Sequence, residues 1–568
     1  MVDVKREIIA KFPALKNRSP MLKESLFKIA QKIIHEDKIN EFLTQYSHLE
    51  GFEFVEAVLD FFAFDFSYCS NDIENIPSTG RVVIIANHPL GALDALCLLK
   101  LVSIIRKDVK IVTNDFLAGI EALDSLFIKI NNFKQSQSKI SIQRVYEALN
   151  NEEAVIIFPA GEVSRVSPYG IRDGQWQKGF LKFAQKTDSP ILPMLVDAKN
   201  SKTFYTISIL NKTFSTILLS NEMFNKQDKN ISIKIGKLIS NKDISQEGTS
   251  RDDLVKLYKK HLYGLKKGKK LFFKTQNAIA ISENKQLIKK ELKSSKLLGE
   301  TADKKLIYLY TYQSDSAVLK EIGRLREISF RKVDEGVNKK RDIDKYDKYY
   351  KHIVLWDEDE LEIVGAYRIA DGKSVLEEYG FEGFYANRLF KFKKSFEPYL
   401  ENSIELGRSF VQPRYWGSRA LDYLWFGIGA YLKENPQTKY MYGAVSLSAS
   451  LSPIAQDLIV DFYSNYFEAD FKIVKARNSF EYFYKNGELL SMTANHNYKK
   501  DLKVLKNSLK SIDTSIPTLY KQYGDFCEDG GLTFHGFNID SDFSNCIDGF
   551  ILVEIAKIKK SKKERYMT

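Results

Sequence analysis

The sequence is poor in the residues that hold small secreted or metal-bound domains together. Its four cysteines, Cys69, Cys97, Cys527 and Cys546, form no Cys-x-x-Cys pair. That pattern excludes a disulfide framework and reads as reduced thiols of a cytosolic protein. The seven histidines are scattered and none pairs at ligand spacing, so no metal site is expected. No window supplies the ~20 clean apolar residues of a transmembrane helix. The longest apolar stretch, 82–105, is interrupted by Asn87-His88-Pro89 and by Asp94, which places it in a protein interior. The opening segment MVDVKREIIAKFPALKNRS lacks the apolar centre of a signal peptide. A cytoplasmic protein, soluble or lying on a membrane surface, is the expectation.

What is present is a folded composition with a basic balance. Hydrophobic residues make up 44% and aromatics 13% of 568 residues, too many residues for one ordinary core. The net charge of +12 points to an anionic partner: nucleic acid, anionic membrane or an acidic carrier protein. The segment 256–274 carries eight lysines interleaved with Leu, Tyr and Phe, which suits a membrane surface or an acidic carrier. No helix-turn-helix, zinc-finger or RNA-recognition pattern accompanies it, so a nucleic-acid partner is discounted. The lysine-rich run 557–565 reads as a solvated tail.

Apolar periodicity predicts helices over 19–46 and 52–66, then strands at 81–86, 109–113, 154–158 and 191–196. Helices are predicted between them at 94–105, 119–130, 140–149 and 179–185. Alternating strands and helices argue for an α/β layer architecture. After Phe273 the chain turns polar and helical, and a domain break is placed after residue 285. Beyond it, strands at 306–310, 352–356, 363–369, 403–410 and 440–445 and helices at 317–330 and 419–434 predict a second α/β domain with a mixed sheet. The expectation is thus two domains, 1–285 and 286–568, without an internal repeat.

The first chemistry-bearing block is Asn87-His88-Pro89-Leu90-Gly91-Ala92-Leu93-Asp94, at the carboxyl end of a predicted strand. Acylating a hydroxyl needs a base of near-neutral pKa, which His supplies, and a carboxylate to orient it. The bland alternative is a capped helix start with a packed histidine. A second block, Phe158-Pro159-Ala160-Gly161-Glu162-Val163-Ser164-Arg165, again follows a strand. With Pro193 downstream, these blocks resemble the glycerolipid acyltransferase superfamily. The resemblance implies His88 as base, Asp94 as its partner, and Asn87, Gly91, Lys129, Gly161, Glu162 and Arg165 around the substrate. Two departures stand out. Five residues separate His88 from Asp94 where the family has four, a form resembling the branch that acts on acylated amino acids. Ala160 and Val163 replace the family's Glu and phosphate-binding Arg, which argues against a phosphorylated acceptor.

The second constellation runs from Arg326 to Arg408: Leu325-Arg326 and Phe330, Asp344 and Asp347, Gly365 and Arg368, Glu405 and Arg408. In this order the pieces resemble acyl-carrier-protein-dependent N-acyltransferases of the GNAT superfold. Amine attack on a thioester needs a neutral amine, an oxyanion donor and acids that hold an ammonium. The resemblance implies Glu405, or a water on it, as base, Asp344 and Asp347 as further acids, and Arg326, Phe330, Arg368 and Arg408 around the acceptor. A buried ion-pair network shaping the fold is the structural alternative. Arg414, Gly417 and Ser418 stand where the superfold binds the donor's phosphate, with Arg419 in place of a small residue. That departure fits a carrier-protein thioester better than free acyl-CoA.

Together the two halves imply consecutive steps. The second would N-acylate a small amino acid from 3-hydroxyacyl carrier protein, and the first would then acylate the 3-hydroxyl. No bound cofactor is expected, and acyl carrier protein is the expected co-substrate. The protein is expected at the inner face of the cytoplasmic membrane. Ornithine is the favoured amino acid on the acidic cluster, with glycine as the alternative. Two rivals are a single-activity lipid O-acyltransferase with a carrier-docking second half, and a membrane-active toxin.

Overall fold

The computed structural model describes residues 4–5, 9, 19–113, 120–129, 135–210, 212–227, 229–241, 249–267, 271–484 and 497–567. The chain divides into two units, Met1–Ala280 and Ile281–Thr568. Both are α/β.

The first unit is built on a seven-stranded sheet. Its strands are β1 (Asp65–Tyr68), β2 (Val82–Ala86), β3 (Val109–Thr113), β4 (Phe127–Lys129), β5 (Ala154–Ile157), β8 (Ile191–Asp197) and β9 (Asn230–Ile235), while β6 (Arg165–Ser167) and β7 (Gly170–Arg172) form a separate hairpin. The order is β1-β9-β8-β2-β5-β3-β4, parallel from β8 to β4, with β9 antiparallel to β8. Strand β2, Val-Val-Ile-Ile-Ala, is wholly buried, as a parallel strand covered on both faces must be. Val82, Ile84 and Ala86 pack with Leu96 and Val102 of helix Ala92–Ser103. Val83 and Ile85 pack on the other face with Phe180 and Tyr258. Each fully buried Val or Ile contributes roughly 1.5–3 kcal/mol.

Two expectations change here. The helix predicted over 119–130 is a short turn, Glu121–Leu123, followed by β4; Gly119 and Ile130 lie outside the described residues. Phe127 and Ile128 are bulky and nearly fully buried at the sheet's edge, so strand pairing with Ile111 and Val112 wins over helical periodicity. The long N-terminal helix is two, Pro20–Ile34 and Glu36–Gln45, broken at His35 with a left-handed backbone.

The second unit holds an eight-stranded sheet of β10 (Lys296–Glu300), β11 (Leu306–Thr311), β12 (Lys351–Asp357), β13 (Glu362–Asp371), β15 (Ser403–Val411), β16 (Tyr440–Leu447), β18 (Leu532–Asp540) and β19 (Cys546–Glu554), with β14 (Phe390–Phe392) and β17 (Val474–Ala476) paired apart. The order is β10-β11-β12-β13-β15-β16-β19-β18. Every pair is antiparallel except β15 with β16, which needs a crossover; helix Ala420–Glu434 supplies it. That parallel pair holds only from Ser403–Glu405 to Tyr440–Tyr442, and the strands then part. Opposite Tyr367, β15 carries an extra residue, and Arg408 there has φ +50°, a bulge that re-aims its side chain. At the parting, a Cβ on Gly443 would lie 2.2 Å from the Leu406 carbonyl oxygen, so only glycine fits.

Helix Lys560–Tyr566 corrects the expected solvated tail: Arg565 and the Tyr566 hydroxyl both reach Asp422 at the start of helix Ala420–Glu434. Among the described residues no helix is long and apolar enough to cross a membrane.

Candidate active sites

In the first unit, parallel β2 and β5 deliver the two sequence blocks side by side at their carboxyl ends, where open α/β sheets place their chemistry. His88 leaves β2 and stacks on Phe158, which leaves β5, with ring centroids 3.9 Å apart. Its Nδ1 stands 2.9 Å from Asp94 Oδ1, and the Asp94 side chain is 0% exposed against 18% for His88. The other Asp94 oxygen accepts the Leu90 N–H at 2.8 Å. Gly91, at φ +94° and ψ −121°, takes up the extra residue between His88 and Asp94 in a backbone region almost reserved for glycine. With Nδ1 turned to Asp94, Nε2 is the atom left to accept a proton. Burial works to lower the imidazole pKa, but the charge and hydrogen bond of Asp94, with Asp173 beyond, raise it overall.

Asp173 is the residue that sequence reasoning missed. Its Oδ1 accepts the His88 backbone N–H at 3.2 Å and the Ser164 hydroxyl at 2.5 Å, and its Oδ2 accepts Trp176 Nε1–H at 2.9 Å. Burial pushes its own pKa up against those hydrogen bonds. The Tyr263 hydroxyl accepts the Asp173 N–H at 2.9 Å, and Lys259 Nζ donates to the Asp173 and Gly174 carbonyls. The basic segment expected to face a membrane or carrier therefore turns two side chains inward; its Lys269 and Lys270 lie outside the described residues. Ser164, in the second sequence block, is the residue already singled out that touches this hub.

The other expected residues of this half divide. Glu162 and Arg165 stay beside the site, with Arg165 Nε 3.6 Å from a Glu162 oxygen and an Arg165 Nη donating to Ser215 at 2.9 Å. Gly161 takes the left-handed turn of that loop at φ +63°. The Asn87 amide both donates to and accepts from the Val196 backbone at 2.8 Å, tying β2 to β8. Lys129 ends β4, which β3 and β5 separate from β2, roughly 14 Å away at ordinary strand spacing. It pairs with Asp124.

In the second unit, three arginines and three aspartates form one buried network. Arg326 donates to Asp347 Oδ1 at 2.8 Å. Arg368 donates to Asp344 Oδ1 at 2.7 Å and Asp347 Oδ1 at 3.2 Å. Arg408 Nε lies 3.3 Å from Asp342 Oδ2. Burial would raise the Asp347 carboxyl, but Arg326 and Arg368 hold it well below the ordinary range. Burial and Arg326 push His352 down to about 4 and keep it neutral. Asp344 and Asp347 also cap one another's turn, the Asp344 N–H donating to Asp347 Oδ2 at 2.8 Å and the Tyr346 N–H to Asp344 Oδ1 at 2.9 Å. The expected acceptor ligands Arg326, Asp344, Asp347 and Arg368 are thus engaged with each other.

Where β15 and β16 part, a cavity of about 110 Å³ opens, lined by Phe330, Tyr385, Arg408, Asp540 and Asp548 among others. Of the expected residues, Arg408 and Phe330 reach it. Glu405 is turned into the fold: one oxygen accepts the Tyr350 hydroxyl at 2.5 Å, the other the Ala386 N–H at 2.7 Å. Burial pushes it up to about 7 against those two hydrogen bonds. On the donor side, both Arg414 Nη atoms are paired, with Glu360 and Glu362. Gly417 turns at φ +78°, and the Ser418 hydroxyl accepts the Ala420 N–H at 3.2 Å, at the mouth of helix Ala420–Glu434.

Residues 6–270 match the model of an acyltransferase family, and residues 325–426 that of the acetyltransferase (GNAT) domain. A glycine N(alpha)-acyltransferase of Phocaeicola vulgatus is 32% identical over 297 residues, 50% of this chain and 90% of that one. A lyso-glycine lipid O-acyltransferase of Bacteroides thetaiotaomicron is 30% identical over 246 residues, 42% of this chain and 88% of that one. The chain belongs to the amino-acid-lipid acyltransferase family. An L-ornithine N(alpha)-acyltransferase of Brucella abortus matches 24% of this chain and 49% of its own length at 29% identity.

For an acyltransferase the two sites offer different chemistry. The first has an imidazole backed by a buried carboxylate, which suits deprotonation of a hydroxyl. The second has a guanidinium and carboxylates around a small cavity, which suits a zwitterionic amino acid.

Proposed function

We propose that this enzyme makes a diacylated amino acid, the second unit forming the amide and the first the ester. The amide step takes a 3-hydroxyacyl chain from acyl carrier protein, and the ester step acylates the 3-hydroxyl so introduced, with His88 as base and Asp94 as its partner. The observation that carries this reading is that one chain is similar to most of the length of two separate proteins, one named for N-acylation of glycine and the other for O-acylation of its lyso-lipid. Fusion keeps a poorly soluble intermediate at high effective concentration beside its second site. Glycine is the acceptor that the similarity supports; the match to an ornithine enzyme keeps ornithine as the second reading. The +12 charge and the lysines of 256–274 support work at an anionic membrane surface with an acidic carrier.

The test is a lipid extract from a host without amino-lipids expressing wild type and His88→Ala, analysed by mass spectrometry. Wild type is expected to give a diacylated amino acid, and His88→Ala its mono-acylated precursor. The mass of the head group identifies the amino acid. A wild type that alters only phospholipid acyl chains overturns the reading.

A further inference from the structure

Among the described residues, the cavity at the parting of β15 and β16 is lined by one cation, Arg408, and three acids, Glu335, Asp540 and Asp548. The Arg408 side chain is 10% exposed, lies over the rings of Tyr385 and Phe543 at 4.7 and 4.8 Å, and has its Nε buried 3.3 Å from Asp342 Oδ2 without a hydrogen bond to it. Asp548 is stranger still. It sits in the middle of β19, Cys-Ile-Asp-Gly-Phe-Ile-Leu-Val, and is 2% exposed. A carboxylate inside an apolar strand is costly unless paired. Its register partner on β16 is Ser446, whose hydroxyl donates to Oδ1 at 2.7 Å. Among the described residues no donor reaches Oδ2, and no guanidinium or ammonium pairs with it. Asp540 comes from β18, across the sheet edge, with Oδ2 3.4 Å from the Tyr385 hydroxyl.

We propose that Asp548 is the catalytic base of the amide-forming step, with Arg408 holding the acceptor's carboxylate and Asp540 its ammonium before proton loss. This rests on the reading of the second unit as an N-acyltransferase. The α-ammonium gives one proton to Asp548, and the freed lone pair attacks the thioester carbonyl carbon. A C–N bond forms, the carbonyl π electrons move to oxygen and return, and the C–S bond breaks. The sulfur leaves as thiolate and takes the second nitrogen proton, giving amide and thiol. Glu405, both of whose oxygens are occupied away from the cavity, is a positioning residue that fixes Tyr350 and the Tyr385–Ala386 backbone.

The groups facing Asp548 are consistent with such a base. Burial raises it to about 7, the Ser446 hydrogen bond and Arg408 hold it down, and Asp540 pushes it up. Glu335, Cys546, Tyr520 and Tyr385 complete the titratable surroundings.

The experiment uses the full chain, glycine and a 3-hydroxyacyl carrier-protein thioester, and follows N-acylglycine formation from pH 6 to 9. Asp548→Asn is expected to lower kcat by about 100-fold or more, with KM for glycine within about threefold of wild type. Ser446→Ala removes the hydrogen bond that favours the ionised form, so the acidic limb of the profile moves to higher pH. This milder variant keeps the assignment testable if Asp548→Asn does not fold. Glu405→Gln leaves that limb in place. An Asp548→Asn enzyme within about fivefold of wild type, or a limb that moves with Glu405→Gln and not with Ser446→Ala, overturns the assignment alone. A wild type that forms no N-acyl product from glycine or ornithine overturns the N-acyltransferase reading and the assignment with it.

Discussion

Asp173 and His88, 85 residues apart, are clamped together twice. Asp173 Oδ1 accepts the His88 backbone N–H, and the Ser164 that donates its hydroxyl to the same oxygen donates its own N–H to the His88 carbonyl at 2.7 Å. The loop carrying the imidazole is therefore fixed from the loop carrying Glu162 and Arg165, through one buried carboxylate. Asp94 orients the ring; Asp173 orients the backbone beneath it.

Replacing Asp173 by Asn keeps the shape and removes the charge. Because that charge raises the His88 pKa, the variant's imidazole is neutral at lower pH. The acidic limb of O-acylation is expected to move to lower pH while the rate falls about tenfold from loosened geometry. Assay of the ester step on a mono-acylated amino acid checks this. A rate loss with an unmoved limb would make Asp173 a purely structural residue.

Gly91→Ala tests the turn that accommodates the longer His-to-Asp spacing. A Cβ there meets Leu219 and Val163 only at 3.7 Å, so space is not the obstacle. The strain is in the backbone, on the order of 1–3 kcal/mol. Ester formation is expected to fall by about 100-fold from displacement of His88 against Asp94, with amide formation unchanged. Equal loss of both activities would argue against a local effect.

The arginines of the second unit separate by what they touch. Arg368→Leu leaves Asp344 and Asp347 buried without their shared cation, a loss of about 3–5 kcal/mol. A fall in Tm of roughly 10 °C is expected. Arg408→Lys keeps a charge at the cavity but not the planar fork, so KM for the amino acid is expected to rise about tenfold with Tm nearly held. Thermal melts beside amide-forming kinetics read both.

Glu405 links stability to pH. Its folded pKa of about 7 lies above the ordinary value of about 4.3. Between those values the native state holds the proton more tightly than the unfolded chain, so stability falls as pH rises from about 4 to 7. Glu405→Gln is expected to flatten this slope, leaving the part due to Asp548 and Glu335. Denaturant melts at pH 5 and pH 7.5 measure it. An unchanged slope would mean that Glu405 ionises as freely in the fold as outside it.

Much of the fold was legible because its signals are local. The apolar run Val82–Ala86 ahead of Asn87-His88-Pro89, and Ala154–Ile157 ahead of Phe158-Pro159, mark buried strands that feed loops. The five long strands and two long helices between Leu306 and Leu447 likewise announced themselves by period, whereas helices Gly372–Tyr379 and Tyr385–Leu389 and strand Phe390–Phe392 did not. What misled was Phe127-Ile128, where burial at a sheet edge overrode helical spacing, and the Lys557–Arg565 run, whose charges conceal the packing of Tyr566.

The sequence by itself determined the α/β class of both units and the pairing of His88 with Asp94, since these depend on residues within a few positions of each other. Only the tertiary structure decided which acids lie together. Asp173 reaches His88, and Asp548 comes to line one cavity with Arg408, through strands and loops far apart in the chain. The same folding drew Glu405 away from the cavity, because the Tyr350 hydroxyl and the Ala386 N–H, 55 and 19 residues away in the chain, take its two oxygens.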